Sequence, residues 1–335
     1  MNVSLTLREV EELTQAALLG SNVAEQNARS LTRSAVASEA DGIHSHGLAR
    51  LPTYCEHARC GKIDGHAIPK VEQVATAGVR ANARGGFAHP AIDAGMEEFL
   101  PLARKTGIAA MAVTHSYNCG VVGYHMERIA DNGLVALGFV NAPASIAPWG
   151  GSEPVFGTNP LACAVPRKDA PPLVIDQSSS VVAKSEIVVH KQKGEPIPEG
   201  WALDSAGQPT TDPEAALAGG TMVPMGGYKG SGIAMIVEIM AAAVTGANFA
   251  MDASSFADNH GGSPGTGQFF VAIEPETFSG PGFSERLERL FAAISEQEGA
   301  RLPGQGRLAA RQRTATEGIT ISEKLLATIK GYAET

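Results

Sequence analysis

The chain has 335 residues, a formal net charge of −9, 44% apolar residues and 18% charged ones. That length suits about two domains with a large core, and the balance excludes a disordered chain. An acidic chain without a run of Lys and Arg is also a poor binder of nucleic acid or anionic membrane, so any anion site must be local.

Residues 1–7 lack a basic stretch followed by an apolar one. No signal peptide is therefore expected, and the expected compartment is the cytoplasm. Thr6-Leu7-Arg8-Glu9 is a capping-box pattern. It opens a helix with Val10, Leu13, Ala17 and Leu18 at helical spacing and Gly20 at its end. Residues 22–25 start a second helix, which runs through Leu31 and Val36 towards Gly42. Pro52 suits the first turn of a third and Gly61 its stop, with a connector over 60–69. Further on, strands are predicted at 78–83, 108–113, 134–140, 173–176 and 267–273, with helices at 90–105 and 121–131. Segments 194–207 and 210–220 read as loops. Residues 232–244 are too short to span a bilayer, carry Glu238 and read as a buried helix. Residues 284–295 form an amphipathic helix with Leu287, Leu290, Phe291 and Ile294 on one face. The segment 302–329 returns to loop and helix. Strands alternating with helices imply an α/β layer. Cys55, His57 and Cys60 lack zinc-site spacing and read as ordinary helix residues; Cys119 and Cys163 complete the cysteines, and no disulfide is expected.

Chemistry concentrates in Asp41-Gly42-Ile43-His44-Ser45-His46-Gly47-Leu48-Ala49-Arg50. A glycine break after a helix lets side chains project from the end of a rigid element. Histidine titrates near neutral pH and can protonate a developing alkoxide or amine. Arg50 can clamp a carboxylate through paired N–H donors, although a polar turn with a solvated Arg has the same composition. The two histidines would need acidic partners from elsewhere to hold a metal, and none is expected. Asp176 ends the apolar run Val174-Ile175. There it either orients a histidine or caps a helix or turn. Gly226-Gly227-Tyr228-Lys229-Gly230 precedes the apolar helix, so its backbone N–H groups and Lys229 are suited to phosphate. It is not a P-loop, and no G-x-G-x-x-G follows a strand, so nothing here implies a Rossmann site. Gly157-Thr158-Asn159-Pro160 and Gly304-Gln305-Gly306 are further candidate loops.

In chain order these segments resemble the malate/L-lactate dehydrogenase family of the second, non-Rossmann type. The similarity takes in Asp41-Gly42, Ser45-His46-Gly47, Ala147-Pro148-Trp149-Gly150-Gly151 and Gly157-Thr158-Asn159-Pro160. It continues through Val174-Ile175-Asp176, Pro196-Ile197-Pro198-Glu199-Gly200-Trp201, Lys229-Gly230 and Arg301-Leu302-Pro303-Gly304. The resemblance implies a mixed-sheet α/β domain (73–283) that binds NADP or NAD, NADPH ahead. It also implies a helical domain built from both chain ends (1–72 and 284–335), and a homodimer. By motif position His46 is the proton donor and Asp176 its partner. Ser45, His44, Arg50 and Thr158 contact the substrate. Asn118, Ile175, Gln177, Ser178, Ser179, Ser180, Tyr228, Lys229, Gly304, Gln305 and Gly306 fall on cofactor-binding segments. The implied reaction passes a hydride to or from C2 of a 2-oxo or 2-hydroxy acid. The alternatives are reduction of Δ1-pyrroline- or Δ1-piperideine-2-carboxylate and a non-catalytic ligand-binding homologue. Two departures stand out. Asn118 occupies the position where many members carry a histidine, and Ser185-Glu186 replaces a frequent Gly-Lys pair.

Overall fold

A computed structural model of the chain describes residues 1–334. Strand β1 (Asn2–Leu5) leads into α1 (Leu7–Leu19), α2 (Glu25–Ala40) and α3 (Leu51–Arg59), with a 3-10 turn at His44–His46 between the last two. The capping box forms as expected: Glu9 N–H donates to the Thr6 hydroxyl, and Thr6 N–H to the Glu9 carboxylate at 2.7 Å. There follow β2 (Lys70–Ala75), β3 (Gly78–Asn82), α4 (Ala88–Thr106), β4 (Ile108–Ser116), α5 (Val122–Ala130), β5 (Val135–Val140), β6 (Leu161–Val165), β7 (Leu173–Gln177) and α6 (Lys184–Lys193). Where plain loops are expected, β8 (Ala202–Leu203), β9 (Pro209–Thr210), α7 (Pro213–Leu217) and β10 (Thr221–Met222) make a small sheet subdomain. The chain closes with α8 (Tyr228–Glu238), a π-helical turn (Ile239–Ala243), β11 (Thr266–Ile273), α9 (Pro275–Ser279), α10 (Phe283–Ser295), α11 (Gln305–Glu317), β12 (Ile319–Ser322) and α12 (Glu323–Ala333).

The main sheet has seven strands in the order β2-β3-β4-β11-β5-β6-β7. Only β3 and β4 run parallel, joined by the α4 crossover; every other pair is antiparallel. Side chains alternate across each strand, so one face buries Met111, Val113, Ala136, Phe270 and Ala272 under Ile92, Met96 and Phe99 of α4 and Met126 and Ile129 of α5. Each of the Met, Val, Ile and Phe side chains contributes about 1.5–3 kcal/mol by leaving water.

The two chain ends meet. β1 pairs antiparallel with β12, and Ile319, Ile321 and Ile329 join Val10, Leu18, Leu31, Leu51 and Tyr54 in a helical core. α10 goes elsewhere. Phe291 and Leu302 pack on Leu173 of β7, and Arg167 forks onto Glu288 at 2.7 and 2.6 Å, so α10 covers the sheet edge. Arg307 and Arg311 of α11 bind Asp41 at the end of α2 and Glu127 of α5, with contacts from 2.6 to 3.0 Å. Asp41 is thus a structural tie between layers. Lys62, 1% exposed at its side chain, donates to the carbonyls of Ser255, Asp258 and His260 at 2.6, 2.6 and 2.7 Å. It pins the loop whose Phe256 ring lies 5.0 Å from Tyr117.

The reading of 232–244 as a buried helix needs correction. Val237, Ala241 and Ala242 are buried, but Met235, Ile236, Ile239 and Val244 are 50%, 55%, 48% and 52% exposed. A helix apolar on every side does not say which face is covered. Here one face meets the sheet and the other stays open. Among the described residues, no helix is long and apolar enough to cross a membrane.

Candidate active site

The histidine cluster sits where two helices leave a gap. α2 ends at Ala40, the chain makes one tight 3-10 turn through His44–His46, and α3 begins at Leu51 with Pro52 in its first turn. Leu48 anchors this turn by full burial in the helical core. His46 Nδ1 lies 3.1 Å from the Ser45 hydroxyl, which leaves Nε2 as the atom open to proton exchange. The ring is partly solvent-accessible yet surrounded by protein on most sides, as on the wall of a cleft. That burial, and then the Arg50 guanidinium, hold His46 at about 4. His44 is largely exposed and pairs with Glu39 at 2.5 Å.

Arg50 is surrounded by aromatic and titratable side chains. Its charge is felt by His46, Tyr54, His57 and Tyr117. Its Nε is buried and has no hydrogen-bond partner among the described residues. A charged donor left that way costs several kcal/mol unless an acceptor arrives, on the order of 1–3 for neutral groups and more for ions.

The segment after β4 packs against α3. Tyr54 donates to the Asn118 side-chain carbonyl at 2.8 Å, and the same oxygen takes the Gly120 N–H at 2.8 Å. Asn118 therefore shapes the turn into α5 and keeps its amide nitrogen as a donor. Tyr54, Phe87, Tyr117 and Phe256 pack edge-to-face behind it. His57 meets the Tyr117 hydroxyl at 2.7 Å, and Cys55 donates to the Ala17 carbonyl, so neither side chain is a free ligand.

Asp176 departs from its expected role as the partner of His46. Its carboxylate takes the Gly123 N–H at 2.7 Å, and no hydrogen bond joins it to His46 among the described residues. It sits at the bare N-terminus of α5, where Val121 offers no side-chain cap and the partial positive charge favours an anion. The capping role left open by the sequence is the one the fold uses. Asp176 is solvent-accessible, and its carboxyl is raised by the protein around it, an effect that Gly123 and Arg307 oppose. Burial, with Asp176 nearby, pushes the adjacent Cys119 thiol up to about 12.

The expected cofactor segments converge around the end of β7. Ser180 bridges to Pro224, Met225 N–H donates to the Ser179 carbonyl at 2.9 Å, and Gly304 lies against Val174. Two uncapped helix N-termini face this region. α8 starts at Gly227 and α11 at Gly304, neither with a side-chain cap, and Tyr228, Lys229, Gln305 and Gly306 are exposed beside them. Free N–H groups with a nearby ammonium suit the phosphates of a dinucleotide, so these residues fit an NAD(P) group. Gln177 is exposed and Ile175 half-buried.

Ser179 and Ser180 are buried, and their hydroxyls bond the carbonyls of Asn159 and Val182 at 2.7 and 2.6 Å, so their side chains brace the segment. Ser178 Oγ similarly bonds the Thr158 carbonyl at 3.0 Å. Glu238 takes the Ala250 N–H at 2.6 Å and the Asn159 amide at 2.8 Å, bracing Asn159 at its φ of 38° next to Thr158. Sequence reasoning missed Tyr54, Glu39 and this use of Glu238. Only the isolated charge of Glu238 in an apolar run could have pointed to it. Glu186 lies exposed in the first turn of α6.

Comparison with known proteins places nearly the whole chain. The profile of a family described as malate/L-lactate dehydrogenase matches residues 5–330. The chain is 46% identical over 333 residues to a (2R)-3-sulfolactate dehydrogenase (NADP(+)) of Chromohalobacter salexigens, covering 99% of each. It is 37% identical over 328 residues to a Δ1-pyrroline-2-carboxylate/Δ1-piperideine-2-carboxylate reductase of Pseudomonas putida, covering 98% of this chain and 96% of that one. The fold superposes on the crystal structure of a Δ1-piperideine-2-carboxylate reductase from Pseudomonas syringae with a TM-score of 0.94, at 33% identity, covering 98% of this chain and 99% of that one. A match nearly end to end, with relatives this similar over their full length, means that the chain belongs to the malate/L-lactate dehydrogenase family and is an oxidoreductase of it.

Proposed function

We propose that the chain is an NADP(H)-dependent dehydrogenase that interconverts a small 2-oxo acid and its 2-hydroxy acid, of the sulfolactate, malate or lactate type. The observation that carries this reading is Arg50 beside His46, whose buried Nε has no partner among the described residues and calls for an anionic acceptor. A substrate carboxylate satisfies it, and holding that carboxylate places C2 next to the imidazole. Bound nicotinamide supplies or accepts the hydride. Lys229 and the uncapped starts of α8 and α11 hold its dinucleotide. Neutralising Arg50 removes one of the two causes that keep His46 low, so His46 takes up a proton more readily once substrate is seated. His46 Nε2 then delivers that proton to the oxygen on C2, while Ser45 steadies the ring. Thr158, His44 and the Asn118 amide line the site. NADP(H) is preferred to NAD(H) because the relative at 46% identity is named for NADP(+).

A second reading is reduction of a cyclic imine carboxylate. Relatives at 37% identity and the structure with a TM-score of 0.94 carry that activity in their names. The same Arg50 clamp serves it, with nitrogen in place of oxygen on C2. Oxidation of NADPH and NADH, followed by absorbance, against 2-oxo acids and both cyclic imines separates the readings. Turnover on an open-chain 2-oxo acid is expected. Turnover confined to the imines transfers the conclusion to the second reading, and cofactor binding without turnover on either removes both.

The active form is proposed to be a cytoplasmic homodimer. Four free cysteines suit a reducing compartment, and the open apolar stripe Met235, Ile236, Ile239 and Val244 is a face that a second copy would cover. Sedimentation equilibrium giving the mass of one chain would remove the dimer.

A further inference from the structure

We propose that Glu39 is the positioning residue that holds His46 in place, and that position 47 is glycine to make room for it. The proposal rests on His46 being the proton donor. Glu39 lies in the last turn of α2, and its side chain is 1% exposed. One carboxylate oxygen takes the Leu48 N–H at 2.6 Å, and the other pairs with His44 Nδ1 at 2.5 Å. Those partners flank His46 on both sides, so a single carboxylate staples the two ends of the turn that presents the imidazole. The two ends need it unequally. Leu48 is already fixed by burial, whereas the His44 side chain is 63% exposed and has no other hydrogen-bond partner among the described residues.

Gly47 makes the close approach possible. A Cβ there would stand 2.3 Å from a Glu39 carboxylate oxygen and 2.6 Å from the carboxyl carbon. Its φ of −98° is negative, so the requirement is for space rather than for left-handed backbone. Burying a carboxylate is costly, and an apolar side chain of similar size would pack the same gap more cheaply. A carboxylate kept at the base of the turn that presents His46 is better explained by geometry than by stability. Displacement of a catalytic group by about 1 Å can cost on the order of 100-fold in rate.

The test is a double-mutant cycle on the full chain, with NADPH turnover measured on the best substrate of the panel. Glu39→Ala is expected to lower kcat about 10–100-fold with cofactor affinity unchanged. Glu39→Gln keeps the side-chain length, an acceptor for Leu48 N–H and an amide donor for His44 Nδ1, and is expected to recover most of that loss. Gly47→Ala, which pushes on the same carboxylate, is expected to behave like Glu39→Ala. In a His46→Gln background, Glu39→Ala is expected to add no further loss, because groups acting as a unit are not additive. An equal loss in both backgrounds, or a folded Glu39→Ala with normal kcat, overturns the proposal. If Glu39→Ala does not fold, Glu39→Gln carries the cycle, with a several-fold loss of kcat expected only where His46 is present. His46→Gln with normal turnover is a separate result: it overturns the reading of His46 itself, and this proposal with it.

Discussion

Replacing His46 with glutamine is expected to lower kcat about 10²–10⁴-fold, the usual share of a positioned general acid. Glutamine keeps a hydrogen-bonding side chain in the turn but does not titrate. The pH dependence follows from the low value of the free enzyme. His46 sits at about 4, so it is neutral at pH 7 before substrate binds. Reduction requires the protonated ring, and kcat/KM reports the free enzyme. For a 2-oxo acid, kcat/KM for reduction therefore falls about tenfold per pH unit above the His46 value. Oxidation of the 2-hydroxy acid requires the neutral ring, so its kcat/KM is flat near neutrality and falls only as pH drops through about 4. Steady-state kinetics in both directions check this. Full turnover in His46→Gln, or a reductive kcat/KM that ignores pH, would sink the assignment.

The second large effect is on stability in acid. His89 and His125 are fully buried, with ring centroids 5.7 Å apart, and neither Nδ1 has a partner among the described residues. His125 Nε2 bonds the Cys119 carbonyl at 2.8 Å, and its ring stacks on Phe270. Burial lowers His89 from its ordinary 6.5 to about 4. Burial, together with neighbouring His89, lowers His125 to about 3. The unfolded chain therefore takes up protons first as pH falls. The contribution is fully present above about 6.5 and is lost as pH drops towards the folded values. Each proton gives a slope of about 1.4 kcal/mol per pH unit, so the pair gives roughly 3. Most carboxylates stay ionised between about pH 6.5 and 5, so urea unfolding across that window isolates the histidines. His125→Gln is expected to reduce the slope by one proton. An unfolding free energy that stays flat over this window would rule the account out.

Much of the local structure was legible because it depends on near neighbours. The Thr6–Glu9 capping box and Pro52 in the first turn of α3 each act within about one helical turn. The central strands were legible as apolar runs, and their ends shifted by only a few residues. The position of β11 between β4 and β5 was not, because pairing Thr266 with Ser116 joins segments remote in sequence. Small strands of two residues, such as β8 and β9, leave no periodic trace.

For the site, the chain alone pointed to the residues proposed to carry chemistry, because His46 and Arg50 follow a glycine break and pair a titratable imidazole with a guanidinium. Which groups they face was decided by the tertiary structure. Asp176 turned to the α5 N-terminus because an unsatisfied N–H lies 2.7 Å away. Ser179 and Ser180 turned inward because nearby carbonyls needed donors. Glu39 looks like an ordinary solvated residue on a helix end until the turn folds back over it. Residue type sets what a side chain can do. Burial and the nearest unsatisfied partner, which come from segments far apart in the chain, set what it does.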